Sequence, residues 1–232
     1  DVISIDTETS SIKPLEAKLI GISISYQIGE AFYIPINHNI KDKKKQLNLN
    51  LVIKRLNPML SNPSLLKVGQ NIKYDLQILK NNGFGKVHPI DDTMLMSYTL
   101  SAGLHNHNLD FLSEKYFSYS KVSYKEIVGT GKKEIEFSEV DIDKASFYAC
   151  EDADITLKLR HTIKKHLIKE KLISVYECIE KPLIEVIADM ENNGIRVKKN
   201  NLITLSKNFT SQLAKLQDKI YSCSGCEFNI NS

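Results

Sequence analysis

An α/β domain with a mixed sheet flanked by helices is what this chain predicts, on three observations. Residues 1–40 read as a meander of strands, short strands then alternate with helices, and one long helical stretch follows from Asp141 to about Leu172. In order, Val2 to Asp6, Leu19 to Tyr26 and Ala31 to Ile36 are rich in Val, Ile and Tyr, with turn material at Lys13-Pro14 and Ile28-Gly29-Glu30. Lys41 to Lys45 is a charged, solvated loop. Leu51, Ile53, Leu56, Met59 and Leu60 give a helical period that stops before Pro63. Leu65 to Val68 is a buried strand leading into a helix over Asn71 to Lys80, which ends at Asn81-Asn82-Gly83. Another short strand is expected around Lys86 to Pro89, and Asp92 then caps the helix carrying Met96 and Leu100. The long helix repeats apolar residues at Ile142, Ala145, Ala149, Ala153 and Leu157.

After about Ser174 the strand signals cease. A helix with Pro182 near its start runs to Asn192-Asn193-Gly194, and Leu202, Leu205, Phe209, Leu213, Leu216 and Ile220 recur at threes and fours. The expected division is therefore 1–174 for the α/β domain and 175–232 for a helical hairpin, the opening of a further domain.

Composition narrows the class. The chain has 232 residues, 42% hydrophobic and 25% charged, with 10 Gly and 6 Pro, which excludes disordered and fibrous chains. No apolar run reaches the roughly 18 residues of a membrane span and no signal peptide is evident, so a cytoplasmic protein without membrane contact is expected. A net charge of +3 does not by itself announce a nucleic-acid binder. Four cysteines are too few for a disulfide scaffold, and Cys223 and Cys226 read as a polar turn around Gly225 rather than a zinc site.

Three carboxylate motifs stand out. Asp6 and Glu8 share one face of the first strand, and such a pair is a solvated strand end or a site for a hard cation such as magnesium or manganese. Asn71 and Asp75 lie four apart near a helix start at the carboxyl end of a strand, where a cap and a dipole-favoured acid would also sit. Tyr148 and Asp152 share one helical face, whereas Asp154 is turned about 240° from Tyr148. That geometry selects Asp152 and leaves Asp154 and Glu151 as surface charges.

Taken together, Asp6-Thr-Glu8, Gly69-Gln-Asn71-Ile-Lys-Tyr-Asp75 and Tyr148-Ala-Cys-Glu-Asp152-Ala-Asp154, with Asp92-Thr-Met-Leu-Met-Ser-Tyr and Gly129-Thr-Gly131-Lys132 between them, closely resemble the proofreading 3′-to-5′ exonuclease domains of bacterial DNA polymerase I, in the four-carboxylate (DEDD) superfamily of RNase H-like fold. The resemblance covers almost the whole chain. The tail from Glu180-Lys-Pro-Leu through Glu227-Phe-Asn-Ile looks like the start of the polymerase thumb, and no polymerase catalytic motif follows, so a fragment that does not synthesise DNA is implied.

The resemblance implies metal ligands at Asp6, Glu8, Asp75 and Asp152 holding two Mg2+ ions, or Mn2+, with Tyr148 orienting the attacking water as a Tyr-type member. On the family's model Asp6 bridges the ions, Glu8 and Asp152 complete the water-activating site, and Asp75 serves the leaving 3′ oxygen. A single-stranded DNA 3′ end is the implied partner, met by Ile12, Gln70, Asn71, Tyr74 and Tyr124, alongside the remainder of the polymerase chain, with the protein a monomer. Lys132 and Lys133 either meet phosphate or are solvated, and His105 with His107 shows no third ligand. The rival expectations are an exoribonuclease of the same superfamily and a non-catalytic scaffold; retention of all four carboxylates speaks against the latter.

Overall fold

The computed structural model describes residues 1–39 and 46–230, so the expected loop at Lys41 to Lys45 lies outside the described residues. Two compact units divide at Asn192 and Asn193.

In the first unit, β1 (Val2–Thr9), β2 (Leu19–Gln27) and β3 (Glu30–Pro35) form the meander. Strands β4 (Leu66–Gly69) and β5 (Ile90–Asp92) extend it on the other side in the order β3-β2-β1-β4-β5. β1 and β2 pair antiparallel, as do β2 and β3, while β1–β4 and β4–β5 are parallel, which makes the sheet mixed. Helix α1 (Leu49–Leu60) precedes β4, and α2 (Ile72–Asn81) follows it directly. The fifth strand begins later than the expected Lys86 to Pro89. Pro89 has no amide hydrogen to give a ladder, and pairing with β4 starts where Lys67 meets Ile90.

Helices α3 (Thr93–Ser101), α4 (Leu109–Phe117) and α5 (Tyr124–Val128) lead to α6 (Ile142–Lys169), which crosses one face of the sheet against β1, β2, β3 and β4. Both surfaces of that contact are small. Ser4, Ser23 and Ser25 on the strands and Ala145, Ala149 and Ala153 on the helix are fully buried, and Ser4 Oγ donates to the Ala153 carbonyl at 2.6 Å. On the opposite side, Ile5 and Ile22 from the strands pack in one core with Ile72 and Ile78 of α2. A single turn α7 (Ile173–Val175) and a π turn over Tyr176–Glu180 run into α8 (Lys181–Asn193). Ile184 of α8 belongs to the sheet core, and the first compact unit runs to Asn192.

The second unit is α9 (Lys199–Ser224) with the residues around it. Gly225 closes α9 in the left-handed region (φ 71°), with Cys223 in the helix's last turn and Cys226 just after it, both exposed free thiols. Among the described residues no helix is long and apolar enough to cross a membrane.

One buried carboxylate organises the end of the sheet. Asp92 caps α3 as expected, accepting from the Met94 and Leu95 amides, and it also accepts from Asn71 N at 3.2 Å and Ile72 N at 2.9 Å at the start of α2. Asn71 itself sits at φ 61° and makes no side-chain cap. Since Asp75 lies in the first turn of α2, Asp92→Ala is expected to unseat two helix starts at once and lower stability by about 2–4 kcal/mol. Urea unfolding measures this, and a loss under about 1 kcal/mol would contradict the double cap.

Candidate active site

Alternation along β1 decides which side chains meet α6. Ser4, Asp6 and Glu8 point to it, while Ile5 and Thr7 point to the α1–α2 side. Opposite Glu8, Gly21 has no side chain, and a Cβ there would meet the Tyr33 hydroxyl at 2.1 Å. Asp152 arrives from α6, and carboxylate oxygens of Asp6, Glu8 and Asp152 all lie within 4.8 Å of one another. Glu8 and Asp152 are each only 7% exposed. Asp75 comes from the other side of the strand. Beyond the last residue that β4 pairs, its Oδ1 accepts from Thr7 N at 3.0 Å and Thr7 Oγ1 at 2.6 Å. The four expected ligands thus form a tight group of three and a fourth gripping the same strand by its backbone.

Burial sets their protonation. It pushes Asp6 up to about 6, against the pull of Lys121 and the Thr7 amide, and Asp152 up to about 7, again against Lys121. Glu8 and Asp75 are held well above the usual carboxylate range, by burial first and then by neighbouring Asp6. Glu8 Oε1 is buried with no hydrogen-bond partner. Such a group is unfavourable as it stands, and its donors are all hard oxygens. An orphaned buried acceptor within a carboxylate trio fits a divalent cation.

Tyr148 lies one turn before Asp152 on α6, and its hydroxyl works against burial to lower that carboxylate's pKa. Burial, then the charges of Asp152 and Glu8, raise the phenol far above its ordinary value, so it acts as a neutral donor. Tyr124 meets Tyr148 edge-on at 6.3 Å and stacks on Phe137 at 6.2 Å, standing half-exposed at the rim. Ile12 is 92% exposed in the loop after β1, and the Tyr74 hydroxyl ties that loop down at Thr9 and the Ser11 carbonyl. Gln70 is spent internally, on Thr93 at 2.6 Å and the His107 carbonyl at 2.7 Å. His107 Nδ1 bonds to Ser97 and His105 Nε2 to Lys115, both in neighbouring helices.

Two residues read from the sequence as surface charges have fixed work. Asp154 accepts from Gly29 N at 2.7 Å and pairs with Lys158, anchoring the β2–β3 turn. Glu151 accepts from Val122 N at 2.8 Å and from the Tyr119 hydroxyl. Between those anchors lies Lys121, which no motif had singled out. Its Nζ is 3.0 Å from Asp152 Oδ1.

Comparison with known proteins identifies the family. A family model described as 3′-5′ exonuclease matches residues 1–168. DNA polymerase I of Rhizobium leguminosarum is 39% identical over 248 residues, covering 100% of this chain and 24% of that protein. DNA polymerase I of Borreliella burgdorferi is 39% identical, covering 99% and 24%. The chain therefore spans about a quarter of the length of these curated relatives. Among solved structures, the nuclease NrnC of Brucella melitensis aligns over 84% of this chain and 86% of its own, with TM-score 0.65 and 20% identity. The POL domain of Pol1 from M. smegmatis, in complex with DNA primer-template and dNTP, aligns over 99% of this chain and 35% of its own, with TM-score 0.75 and 19% identity. At those identities the likeness is one of fold, that of the exonuclease-type nucleases. With the family model spanning the carboxylate site and the relatives matched end to end along this chain, the protein belongs to the 3′-5′ exonuclease family of DNA polymerase I.

Proposed function

We propose that this chain is a metal-dependent exonuclease that removes 5′-mononucleotides from single-stranded or frayed DNA 3′ ends, as the proofreading part of a DNA polymerase I. The observation that carries this is the buried trio Asp6, Glu8 and Asp152 with the unpartnered Glu8 Oε1. Those three residues, with Asp75, would hold two Mg2+ ions or Mn2+; one NrnC structure has Mg2+ bound. When bound, such ions supply activation of water and neutralisation of charge on the attacking and leaving oxygens. The rest falls to side chains of the chain. Tyr148 holds its proton and aligns the water by hydrogen bonding. Tyr124 at the rim gives the terminal base an aromatic surface, and Ile12 stands free to wedge against it. Asn71 and Tyr74, at the start of α2, would contact the strand beside Asp75, whereas Gln70 reaches DNA only by giving up its bonds to Thr93 and His107.

The test is incubation of 5′-labelled single-stranded DNA and RNA with Mg2+, Mn2+ or EDTA. A metal-dependent ladder on DNA is expected. A ladder on RNA alone would favour the exoribonuclease, and no ladder on either would leave the scaffold. Matched duplex ends should be cut more slowly than mismatched ones, because a paired terminus must first melt at a cost of a few kcal/mol; equal rates on both would contradict a site reached only by unpaired ends.

Tyr148→Phe should slow hydrolysis about tenfold to a hundredfold and leave Mn2+ binding intact, since only a positioning hydroxyl is lost. Asp154→Asn should do far less, its carboxylate being engaged with Gly29 and Lys158. Comparable losses in single-turnover rate for Asp154→Asn and Asp152→Asn would overturn the choice between them.

A further inference from the structure

Lys121 sits where the carboxylates need a cation. Its side chain is 4% exposed, and Nζ lies 3.0 Å from Asp152 Oδ1 and 3.0 Å from Asp110 Oδ1, with the Tyr148 ring centre 4.8 Å away. Burying an ammonium is unfavourable unless fixed charges face it. Here two carboxylates, Asp152 and Asp110, face it at 3.0 Å each. The placement is built into the fold, because Glu151, next to Asp152 on α6, grips Tyr119 and Val122 on either side of Lys121. The two carboxylates that Lys121 bridges differ in depth. The side chain of Asp152 is 10% exposed and lies in the trio, whereas that of Asp110, in the first turn of α4, is 60% exposed.

We infer that Lys121 is an internal counter-ion of the metal site: its ammonium neutralises Asp152 in the metal-free protein, competes with a divalent cation for that carboxylate, and moves onto Asp110 when the cation enters. The inference rests on the metal-dependent function proposed above. An ammonium and a divalent ion on one carboxylate oxygen repel strongly in a poorly solvated cleft, so one must leave for the other to bind. Asp110 eases that exchange, because the lysine keeps an ionic partner throughout.

The experiment is a Mn2+ titration of the full chain followed by electron paramagnetic resonance. Lys121→Met, similar in length and uncharged, should bind Mn2+ about tenfold more tightly than the wild type. Asp110→Asn should bind it about threefold more weakly, and in the Lys121→Met background the same Asp110 change should have no effect. A lysine with a merely structural role would leave affinity unchanged or reduced when replaced, and that result in a folded Lys121→Met protein overturns the inference. An equal loss from Asp110→Asn in both backgrounds overturns the second berth. Lys121→Gln gives the same comparison if the methionine variant does not fold. A wild-type chain that binds no Mn2+ sinks the metal-dependent function and this inference together, whereas wild-type binding with an indifferent Lys121 sinks the inference alone.

Discussion

Replacing Asp6 by alanine is expected to abolish exonuclease activity and, without metal, to make the protein more stable rather than less. Asp6 is central to the trio that its oxygens form with Glu8 and Asp152, and its charge raises the pKa of Glu8 and of Asp75 as well. Removing it takes away charge stabilisation worth several kcal/mol in metal-assisted hydrolysis, so the rate should fall by roughly a thousandfold or more. The same change removes a buried carboxylate from like-charged neighbours, and it leaves the strand's packing to Ile5 and Thr7, which face the other way. Thermal unfolding in EDTA should therefore show a melting temperature equal to or above that of the wild type. A folded Asp6→Ala chain that still degrades DNA at a substantial rate would sink the assignment. Loss of activity accompanied by a large drop in melting temperature would show that Asp6 holds the fold instead.

What could be seen in the sequence was whatever is local. Strands β1 and β2, helix α2 and helix α6 declare themselves by periodicity, and pleat and helical turn place Asp6 with Glu8 and Tyr148 with Asp152. What depends on distant partners was hidden. Asn71 has the chemistry of a cap, but its side chain is passed over because Asp92, twenty-one positions later on a strand, already holds the amides at the head of α2. Glu151 and Asp154 look alike in the motif, yet each is claimed by a segment far off in the chain, Val122 and Gly29 respectively. Lys121 is a lone lysine in a polar stretch, and only the grip of Glu151 on its neighbours turns it into the cleft. Even Asp75, placed correctly on α2, reaches the site through Thr7, the residue whose side chain alternation assigns to the other face of the strand.

The metal-free protein should become more stable as pH falls from 8 to about 5, the reverse of ordinary acid destabilisation, and saturating Mg2+ should remove or invert that slope. Burial lifts Asp6 to about 6, Asp152 to about 7 and Asp92 to about 6, while in the unfolded chain an aspartate titrates near 3.8. Between those limits the folded state binds more protons than the unfolded state, so stability is gained on acidification through the window and lost as pH rises through the folded values. At 1.36 kcal/mol per pKa unit the combined effect is on the order of a few kcal/mol, after allowance for the carboxylates titrating as a coupled set. His38 and His107 oppose it, since burial lowers both and makes their protonation below about 6.5 destabilising. Asp6→Ala separates the two contributions: it leaves the histidines untouched and should flatten the curve. Bound Mg2+ requires ionised ligands, so it favours the folded protein most at high pH, where the carboxylates are already charged. The measurement is the melting temperature from pH 5 to 8 for wild type and Asp6→Ala, each in EDTA and in Mg2+. A wild-type EDTA curve that climbs steadily with pH, parallel to that of Asp6→Ala, would show that these carboxylates ionise as they do in water and that no cation is needed to hold them together.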